Sequence, residues 1–376
     1  MLYYIIFILL MLFACGETVI RVQNNSSNNL NKLSTNFIWK CGISILVVTL
    51  LILLVGNRNL TGTDTLNYFT AYYNSNLFSY FEPFYTGMQN FFLASGIRFG
   101  IFQVIIGALS LIILLVAYNI ASKRIFFMIW LAYGPFQYFV FFNIMRQGVS
   151  LSFMTLAFVL IYSISSKWKY IFGAILFFIA YQFHHSAIFG FILFIIVEIS
   201  SILFKKNIKW ITMIFSTFGI IGFKLVLSQF ANIASWFGVS YFQNYMNTSY
   251  LQQRFDWYGW LNFILIFLLI LIIKVDDIWS FSLLSRKIYI MSLMYLLLLS
   301  FMGNAQFITR ISYYITFLFP ILFVQALDSA KQNSVRKWII LLIILFYTGI
   351  NFYISVQTGA NGINPYQGHI FKFSNI

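Results

Sequence analysis

Long apolar runs recur from one end of the chain to the other and are separated by short polar breaks. A helix needs about 20 apolar residues to cross the hydrocarbon core of a bilayer. At that length the pattern predicts an all-α polytopic integral membrane protein with about 12 transmembrane helices, in the range of roughly 11 to 13. Residues 1–376 are predicted to form a single polytopic membrane domain. The predicted spans lie near 1–20, 39–55, 99–121, 125–142, 147–164, 170–183, 186–203, 210–228, 259–273, 288–303, 309–327 and 338–356.

Three longer segments fall outside the predicted spans, namely 56–98, 229–258 and the tail 357–376. The first contains an apolar run from Phe84 to Ala94 that is too short to cross a bilayer. It predicts one short re-entrant or interfacial helix near 84–95. The second interleaves amide and aromatic side chains, a mixture that suits sugar rings and equally suits an aromatic belt at the lipid headgroups.

Composition and charge agree with a membrane protein and set its orientation. At 61% hydrophobic and 8% charged residues, the chain is excluded from the class of water-soluble globules. A net charge of +15 would suggest nucleic-acid binding in a soluble protein. Here most of the 23 Lys and Arg residues lie in alternate short loops. This distribution indicates which loops lie on the inner side of the membrane, and it is not typical of a basic surface that binds nucleic-acid phosphates. The alternation places these loops inside and the N-terminus and the three longer segments outside.

The N-terminal segment and the two cysteines carry no further chemistry. Leu12 to Cys15 looks like a lipoprotein cleavage box, but no Lys or Arg precedes the apolar stretch, as a signal peptide would require. We therefore expect an uncleaved first transmembrane helix. Cys15 and Cys41 have neither CxxC nor Cys/His spacing, so no disulfide framework is indicated. No cluster of Asp, Glu, His or Cys has the ligand count of a metal site, so we expect no metal and no cofactor.

Five short polar motifs interrupt the apolar pattern, and the predicted topology puts all of them on the outer side. Ionisable groups at membrane depth are costly and usually serve function, so this gathering is the candidate active site. The motifs are Gly62-Thr63-Asp64-Thr65, Glu82-Pro83-Phe84, Arg146-Gln147, His184-His185-Ser186 and Arg310-Ile311-Ser312-Tyr313.

Arg146 and Arg310 are the strongest candidates among these motifs. Each lies in apolar surroundings at the outer start of a predicted helix, where anions are also favoured. Together they could clamp a diphosphate, because guanidinium groups grip phosphate in two bonds. The alternative is that each side chain simply reaches the membrane interface.

Asp64 and the histidine pair are candidates for proton transfer. An Asp in the outer loop could orient an acceptor hydroxyl, although it also suits an ordinary turn. Either His184 or His185 could act as a general base, or the pair could be structural at a helix break. Glu82 ranks last, since a Glu before Pro83 at a helix start is ordinarily a favourable contact with the helix dipole.

The order of these motifs resembles that of the EpsG family of Wzy-type polysaccharide polymerases over nearly the whole chain. The resemblance rests on Arg58 with Gly62-Thr63-Asp64-Thr65 and Tyr68, on Glu82-Pro83-Phe84, on Arg146-Gln147, on Phe183 to Ala187, and on Arg310 to Tyr314. Which of the two histidines corresponds to the family's stays open.

The resemblance implies a glycosyltransferase of the bacterial inner membrane whose active site faces the periplasm or cell exterior. A growing glycan on undecaprenyl diphosphate would be transferred to the next lipid-linked repeat unit, as in O-antigen or capsule assembly. A flippase and a chain-length regulator of the same pathway would be partners, and no nucleic acid is involved. Catalytic roles are expected for Asp64, His184 and His185; binding of diphosphate or glycan is expected for Arg58, Glu82, Arg146, Gln147, Arg254, Arg310 and Tyr313.

Two other functions compete with a polymerase. A flippase for lipid-linked oligosaccharides would share the carrier and a basic cavity, but would place its charges along a two-sided path. A membrane acyltransferase of a surface polysaccharide could use His184 or His185 as its base, with polar motifs deeper or on the inner side.

Overall fold

The computed structural model describes residues 1–26, 30–59, 61–74, 81–134, 137–204, 207–219, 257–302, 306–331, 334–364 and 366. In 19–41, 257–258, 301–302 and 306–308 it describes the backbone alone. Every regular element in these ranges is a helix, as the apolar pattern predicts. The chain divides into two compact units: unit 1 comprises Met1–Ala187 and Thr348–Ile376, and unit 2 comprises Ile188–Tyr347.

The helices of unit 1 follow the chain order of the predicted spans. They are α1 (Leu2–Ser26), α2 (Leu30–Gly56), α3 (Thr65–Tyr73), α4 (Pro83–Ala94), α5 (Phe99–Ala121), α6 (Ile125–Tyr133), α7 (Gln137–Asn143), α8 (Met145–Ser163) and α9 (Lys169–Phe183). Helix α8 packs against both α5 and α9, α2 packs on α5, and α1 packs on α6. Helix α4 occupies the position of the predicted short helix and, with 12 residues, is too short to cross a bilayer.

Unit 2 contains most of the remaining helices. They are α10 (Ala187–Leu203), a helical stretch at 208–219, α11 (Trp257–Ile272), α12 (Val275–Phe281), α13 (Leu283–Met302), α14 (Gln306–Thr316) and α15 (Phe319–Ser329). Helix α16 (Val335–Gln357) begins in unit 2, and its last residues belong to unit 1. A short 3₁₀ helix, Ala360–Gly362, follows it.

Fewer helices than predicted qualify as membrane spans. In the described part of the chain four helices are long and apolar enough to cross a bilayer, or up to six if each of two bent pairs counts as one span. The bent pairs are α6 with α7, at 55°, and residues 309–316 with α15, at 41°. Among the other predicted spans, α9, α10 and α11 are apolar helices of 15, 17 and 16 residues. At 1.5 Å per residue, about 15 residues reach only about 22 Å, less than the ~30 Å hydrocarbon core. The predicted span at 210–228 runs beyond the described residues.

An aromatic cluster forms the core of unit 1 beside the polar motifs. It draws side chains from α3, α4, α5, α8 and α9, and its larger members are Tyr68, Tyr72, Phe81, Tyr85, Phe99, Phe102, Met145 and Phe183. Helices α2 and α5 approach closely at Gly56, where an added Cβ would lie 2.5 Å from the Cα of Val104. Small residues at such crossings let apolar helices pack in the absence of a hydrophobic driving force.

The start of α1, the end of α2 and the segment after α16 meet at one end of unit 1. The hydroxyl of Tyr3 donates to the carbonyl of Ile363 at 2.7 Å, and that of Tyr366 donates to the carbonyl of Leu54 at 3.1 Å. The predicted topology assigns these three chain positions to the outer side of the membrane. The fold brings them together, and their outward orientation stays a prediction.

A carboxylate from α1 caps α6 within the same unit. Glu17 Oε2 accepts hydrogen bonds from the backbone N–H groups of Phe126 and Phe127, at 3.0 and 3.3 Å. Free N–H groups at a helix start need such an acceptor, and the helix dipole favours a negative charge there. Helix α1 is continuous through Cys15 and is joined to the fold by this contact.

Basic residues of the predicted inner loops find partners within unit 2. Lys287 Nζ donates to Glu198 Oε2 and to Ser201 Oγ, each at 2.7 Å. Arg336 pairs with Asp277. Lys209 Nζ donates to the carbonyls of Leu271 and Ile273 near the end of α11, at 2.8 and 3.0 Å, where a cation suits the negative end of the helix dipole.

Candidate active site

The carboxylate of Glu82 joins three segments of unit 1. It immediately precedes α4, which begins at Pro83, and its side chain is only 4% exposed. One oxygen, Oε2, accepts from Nη1 of Arg146 at the start of α8. The other, Oε1, lies 2.7 Å from Nδ1 of His184 and accepts from the backbone N–H of His185 at 3.1 Å. Glu82 therefore brings together Arg146, one of the two strongest candidates from the sequence, and His184, a candidate for proton transfer.

Arg146 lies between this carboxylate and an aromatic surface. Its guanidinium carbon is 3.8 Å from the ring centre of Phe81 and 5.9 Å from that of Tyr85, which are cation–π distances. The Tyr68 side chain also hydrogen-bonds it. Its Nε finds no hydrogen-bond partner within the described part of the chain. Arg146 is thus held on one edge by Glu82 and keeps a donor for a further acceptor.

The two histidines differ in their surroundings. His184 ends α9, and its side chain is 21% exposed while it contacts Glu82. His185 is exposed, and its ring lies against Tyr181 of α9 with 4.8 Å between ring centres. His185 meets Glu82 through its backbone, whereas His184 meets it through its imidazole.

The electrostatics of Glu82 favour the ionised carboxylate. Burial by itself raises the pKa of Glu82, but the hydrogen bond with His184 and the charges of His184 and Arg146 outweigh it. The net result lowers the pKa from 4.5 to about 2. Glu82 is therefore an acceptor at any physiological pH.

The Gly62-Thr63-Asp64-Thr65 loop is attached to the residues just before α8. Asn143, at the end of α7, accepts through Oδ1 from the Thr63 hydroxyl and from the backbone N–H of Asp64, the latter at 2.9 Å. Asp64 precedes α3 and is half-buried. Since Asn143 lies three positions before Arg146, the loop and the start of α8 are held at the same end of unit 1.

Gly62 shapes this loop through a backbone conformation that other residues avoid. Its φ is +106°, and an added Cβ would lie 2.0 Å from the carbonyl oxygen of Phe142. Its N–H donates to the carbonyl of Gly362 at 2.9 Å, so the segment after α16 supports the loop from behind. Glycine is required both by the dihedral angle and by the close approach.

Arg58 lies deeper than the sequence suggests. Its side chain is fully buried, Nη1 donates to the carbonyl of Val55, and the guanidinium lies 5.6 Å from the ring centre of Phe142. Nε and Nη2 have no hydrogen-bond partner among the described residues. Burial lowers the pKa of Arg58 to about 10, opposed by nearby tyrosines including Tyr68 and Tyr85. A substrate contact for Arg58 stays a prediction.

The remaining predicted residues are distributed over both units. Gln147 is buried in α8 next to Arg146. Arg310 and Tyr313 lie one turn apart on α14 in unit 2 and interact electrostatically. Because the two units are described separately, the pairing of Arg146 with Arg310 stays a prediction. Arg254 lies outside the described residues.

Sequence reasoning missed the aromatic surface and the asparagine that position these groups. Phe81 lies one position before Glu82 and Tyr85 lies three positions after it. Because aromatic rings attract cations, these two residues were the sequence signal for a cation-binding surface beside Glu82. Tyr68 was noted only as part of a motif. The contact of Asn143 with the loop 80 positions earlier is visible only in the fold.

The groups at this site are of the kinds that can bind anions and transfer protons. In the described part of the chain, no three His, Cys, Asp or Glu side chains come together as metal ligands. A guanidinium group binds phosphate or carboxylate through charged hydrogen bonds. An imidazole exchanges a proton near neutral pH.

Comparison with known proteins gives one family match. The model of the EpsG family, a Wzy-like polymerase family, matches residues 43–368, most of the chain. The matched range includes every polar motif, all of unit 2 and most of unit 1. No curated protein and no solved structure matches the chain.

Proposed function

The chain belongs to the EpsG family, and we propose that it polymerises undecaprenyl-diphosphate-linked oligosaccharide repeat units of O-antigen, capsule or exopolysaccharide. It transfers the growing glycan from its lipid carrier to the next lipid-linked repeat unit. The reaction takes place at the outer leaflet of the bacterial inner membrane, within a bundle of about 12 spans.

The observation that supports this proposal best is the meeting of Arg146 and His184 on the carboxylate of Glu82. Glycosyl transfer from a lipid diphosphate requires two kinds of catalysis. The charge on the leaving phosphate oxygens must be stabilised, and a proton must be removed from the acceptor hydroxyl. A guanidinium group supplies the first and an imidazole supplies the second. Glu82 places both at one end of unit 1.

The step is balanced in atoms and charge. The acceptor hydroxyl oxygen forms a bond to the anomeric carbon of the growing glycan, and the bond from that carbon to the diphosphate oxygen breaks. Undecaprenyl diphosphate leaves with the electron pair of this bond, and Arg146 stabilises its charge. The proton of the acceptor goes to a protein base, for which Asp64, His184 and His185 are the candidates.

The membrane setting supports the choice of substrate. Exposed apolar side chains lie next to the site: Phe84, at the start of α4, is 50% exposed and packs edge to face on Phe183, the residue before His184. A polyprenyl carrier needs an apolar approach of this kind to bring its diphosphate to the polar groups. A water-soluble sugar nucleotide would not need an apolar surface beside the site.

The proposal is tested by replacing Arg146 with Ala and with Lys in cells and separating surface glycan on a gel. We expect both variants to lose the long ladder while single-repeat glycan still reaches the surface. Arg336→Ala is the matched control, because Arg336 also pairs with a carboxylate but lies in unit 2 on the predicted inner side. It should keep the ladder.

Membrane levels of each variant are measured by immunoblot, so that loss of protein is separated from loss of activity. Long ladders from Arg146→Ala at normal protein level would refute the role of Arg146. Complete absence of surface glycan, including single repeats, would refute polymerisation in favour of transport of the lipid-linked oligosaccharide.

A further inference from the structure

We propose that Glu82 is a positioning residue that holds His184 with its Nδ1–H on the carboxylate and so makes Nε2 the base that deprotonates the acceptor hydroxyl. This inference rests on the proposed function and deepens it. It selects one base from three candidates and gives a role to a residue that the sequence ranked last.

The identity of the donor on His184 follows from its partner. An ionised carboxylate has lone pairs and no hydrogen to give, so the 2.7 Å contact requires the hydrogen to be on Nδ1. In the neutral imidazole the other nitrogen then carries the lone pair. Nε2 is therefore the atom that can accept a proton, and the side chain is 21% exposed.

The backbone fixes the ring in this orientation. The N–H of His184 donates to the carbonyl of Ala180 at 3.0 Å, which closes the last turn of α9. The next N–H, that of His185, donates to the same carboxylate oxygen that His184 contacts. The imidazole and the following peptide are thus bound to one atom of Glu82, which leaves the ring little freedom to turn.

The carboxylate also matches the charge change of the reaction. When Nε2 takes the acceptor proton, the imidazole becomes a cation and Glu82 lies 2.7 Å away to stabilise it. Among the described residues, the other charged group that contacts Glu82 is Arg146, which uses the second oxygen and so does not displace His184. The Tyr68 side chain hydrogen-bonds Arg146, and the ring centre of Tyr85 lies 5.9 Å from its guanidinium carbon. After transfer the imidazolium passes its proton to solvent.

The same geometry disfavours the other two candidates. The ring of His185 lies against the ring of Tyr181. The described contact of His185 with Glu82 is made by its backbone N–H. Asp64 is held through its backbone N–H by Asn143, at the position before α3. Among the described contacts, the candidate base whose side chain meets the Glu82 carboxylate is His184.

The test measures polymerisation by purified protein in lipid nanodiscs with a lipid-diphosphate-linked oligosaccharide, for wild type, Glu82→Gln, Glu82→Asp, His184→Asn and His185→Asn. We expect Glu82→Gln to lower kcat by about 10²- to 10⁴-fold, the contribution typical of general acid–base catalysis, with a smaller change in KM. Glu82→Asp should recover part of kcat. His184→Asn should be as impaired as Glu82→Gln, and His185→Asn should be clearly less impaired than either.

The pH profile separates positioning from mere structural support. In Glu82→Gln the residual activity should have its acid limb at lower pH than in wild type, because the protonated imidazole has lost its anionic partner. Glu198→Gln is the matched control, since Glu198 also accepts a charged donor at 2.7 Å but lies in unit 2. It should leave both kcat and the acid limb unchanged.

The outcomes distinguish this inference from the proposed function. A wild-type protein that does not extend the glycan refutes the function itself. A wild-type protein that does extend it, together with a Glu82→Gln variant of unchanged kcat and acid limb, refutes only the role of Glu82. A loss in His185→Asn as large as that in His184→Asn refutes the choice of base.

Discussion

Replacing Glu82 by Gln should destabilise unit 1 by an amount that the electrostatics of the site specify. The fall of the Glu82 pKa from 4.5 to about 2 corresponds to roughly 3 kcal/mol of preference for the ionised form in the fold. The side chain is only 4% exposed, so solvent screens this energy little. We expect Glu82→Gln to lower the free energy of unfolding by about this amount at pH 7.

The sign of the pH dependence follows from the lowered pKa. The stabilisation is fully present above the unfolded pKa of 4.5 and is lost as pH falls toward the folded value of about 2. About half of it should remain at pH 3. Wild type should therefore approach Glu82→Gln in stability as the solution is made acid, whereas the two differ by the full amount at pH 7.

The assay is denaturant unfolding of purified protein in detergent micelles at pH 7, 4.5 and 3, followed by tryptophan fluorescence. A double-mutant cycle with Arg146→Met isolates the ion pair, and the coupling energy should be about 1–3 kcal/mol. Additive effects within about 0.5 kcal/mol, or a gap between wild type and Glu82→Gln that does not change with pH, would refute the reasoning.

Two further predictions follow from the backbone and from buried charge. Gly62→Ala should destabilise the protein by more than about 2 kcal/mol, because the added Cβ would overlap the carbonyl of Phe142; Gly87→Ala, in the open middle of α4, should instead stabilise it slightly. Equal melting temperatures for the two variants would contradict this. Arg58→Met should leave the melting temperature unchanged or raise it, since it removes a buried charge whose Nε and Nη2 have no hydrogen-bond partner among the described residues, while the glycan ladder should shorten. A melting temperature lowered by 10 °C or so, with a normal ladder, would make Arg58 purely structural.

The helical fold was predictable because apolar runs of membrane length report directly on burial in lipid. The bends were less visible. Residues 309–327 read as one continuous apolar span, yet the helix breaks after Thr316 and restarts at Phe319 with Pro320 in its first turn. Proline cannot donate to the preceding turn and favours a helix start, so the signal was present in the sequence but was outweighed by hydropathy.

The candidate site was only half predictable, and Glu82 shows why. Considered alone, a Glu before a proline at a helix start is explained by the helix dipole. Its actual partners lie 64 and 102 positions away in the chain. Periodicity and local spacing carry no information about such contacts, because they depend on how helices pack. Arg146 was identified because a guanidinium in apolar surroundings is anomalous without knowledge of its partners.

The attachment of the Gly62 loop to the C-terminal segment has a consequence for how the protein is made. Two hydrogen bonds at this end of unit 1 join residues that are far apart in the chain. Tyr3 and Ile363 are separated by 360 positions, and Leu54 and Tyr366 are separated by 312. At a synthesis rate of about 5–20 residues per second, the loop emerges roughly 15–60 s before its support. The polar end of unit 1 is thus completed last. In a nascent chain halted before Thr348, the N–H of Gly62 does not yet have the carbonyl of Gly362 as its acceptor.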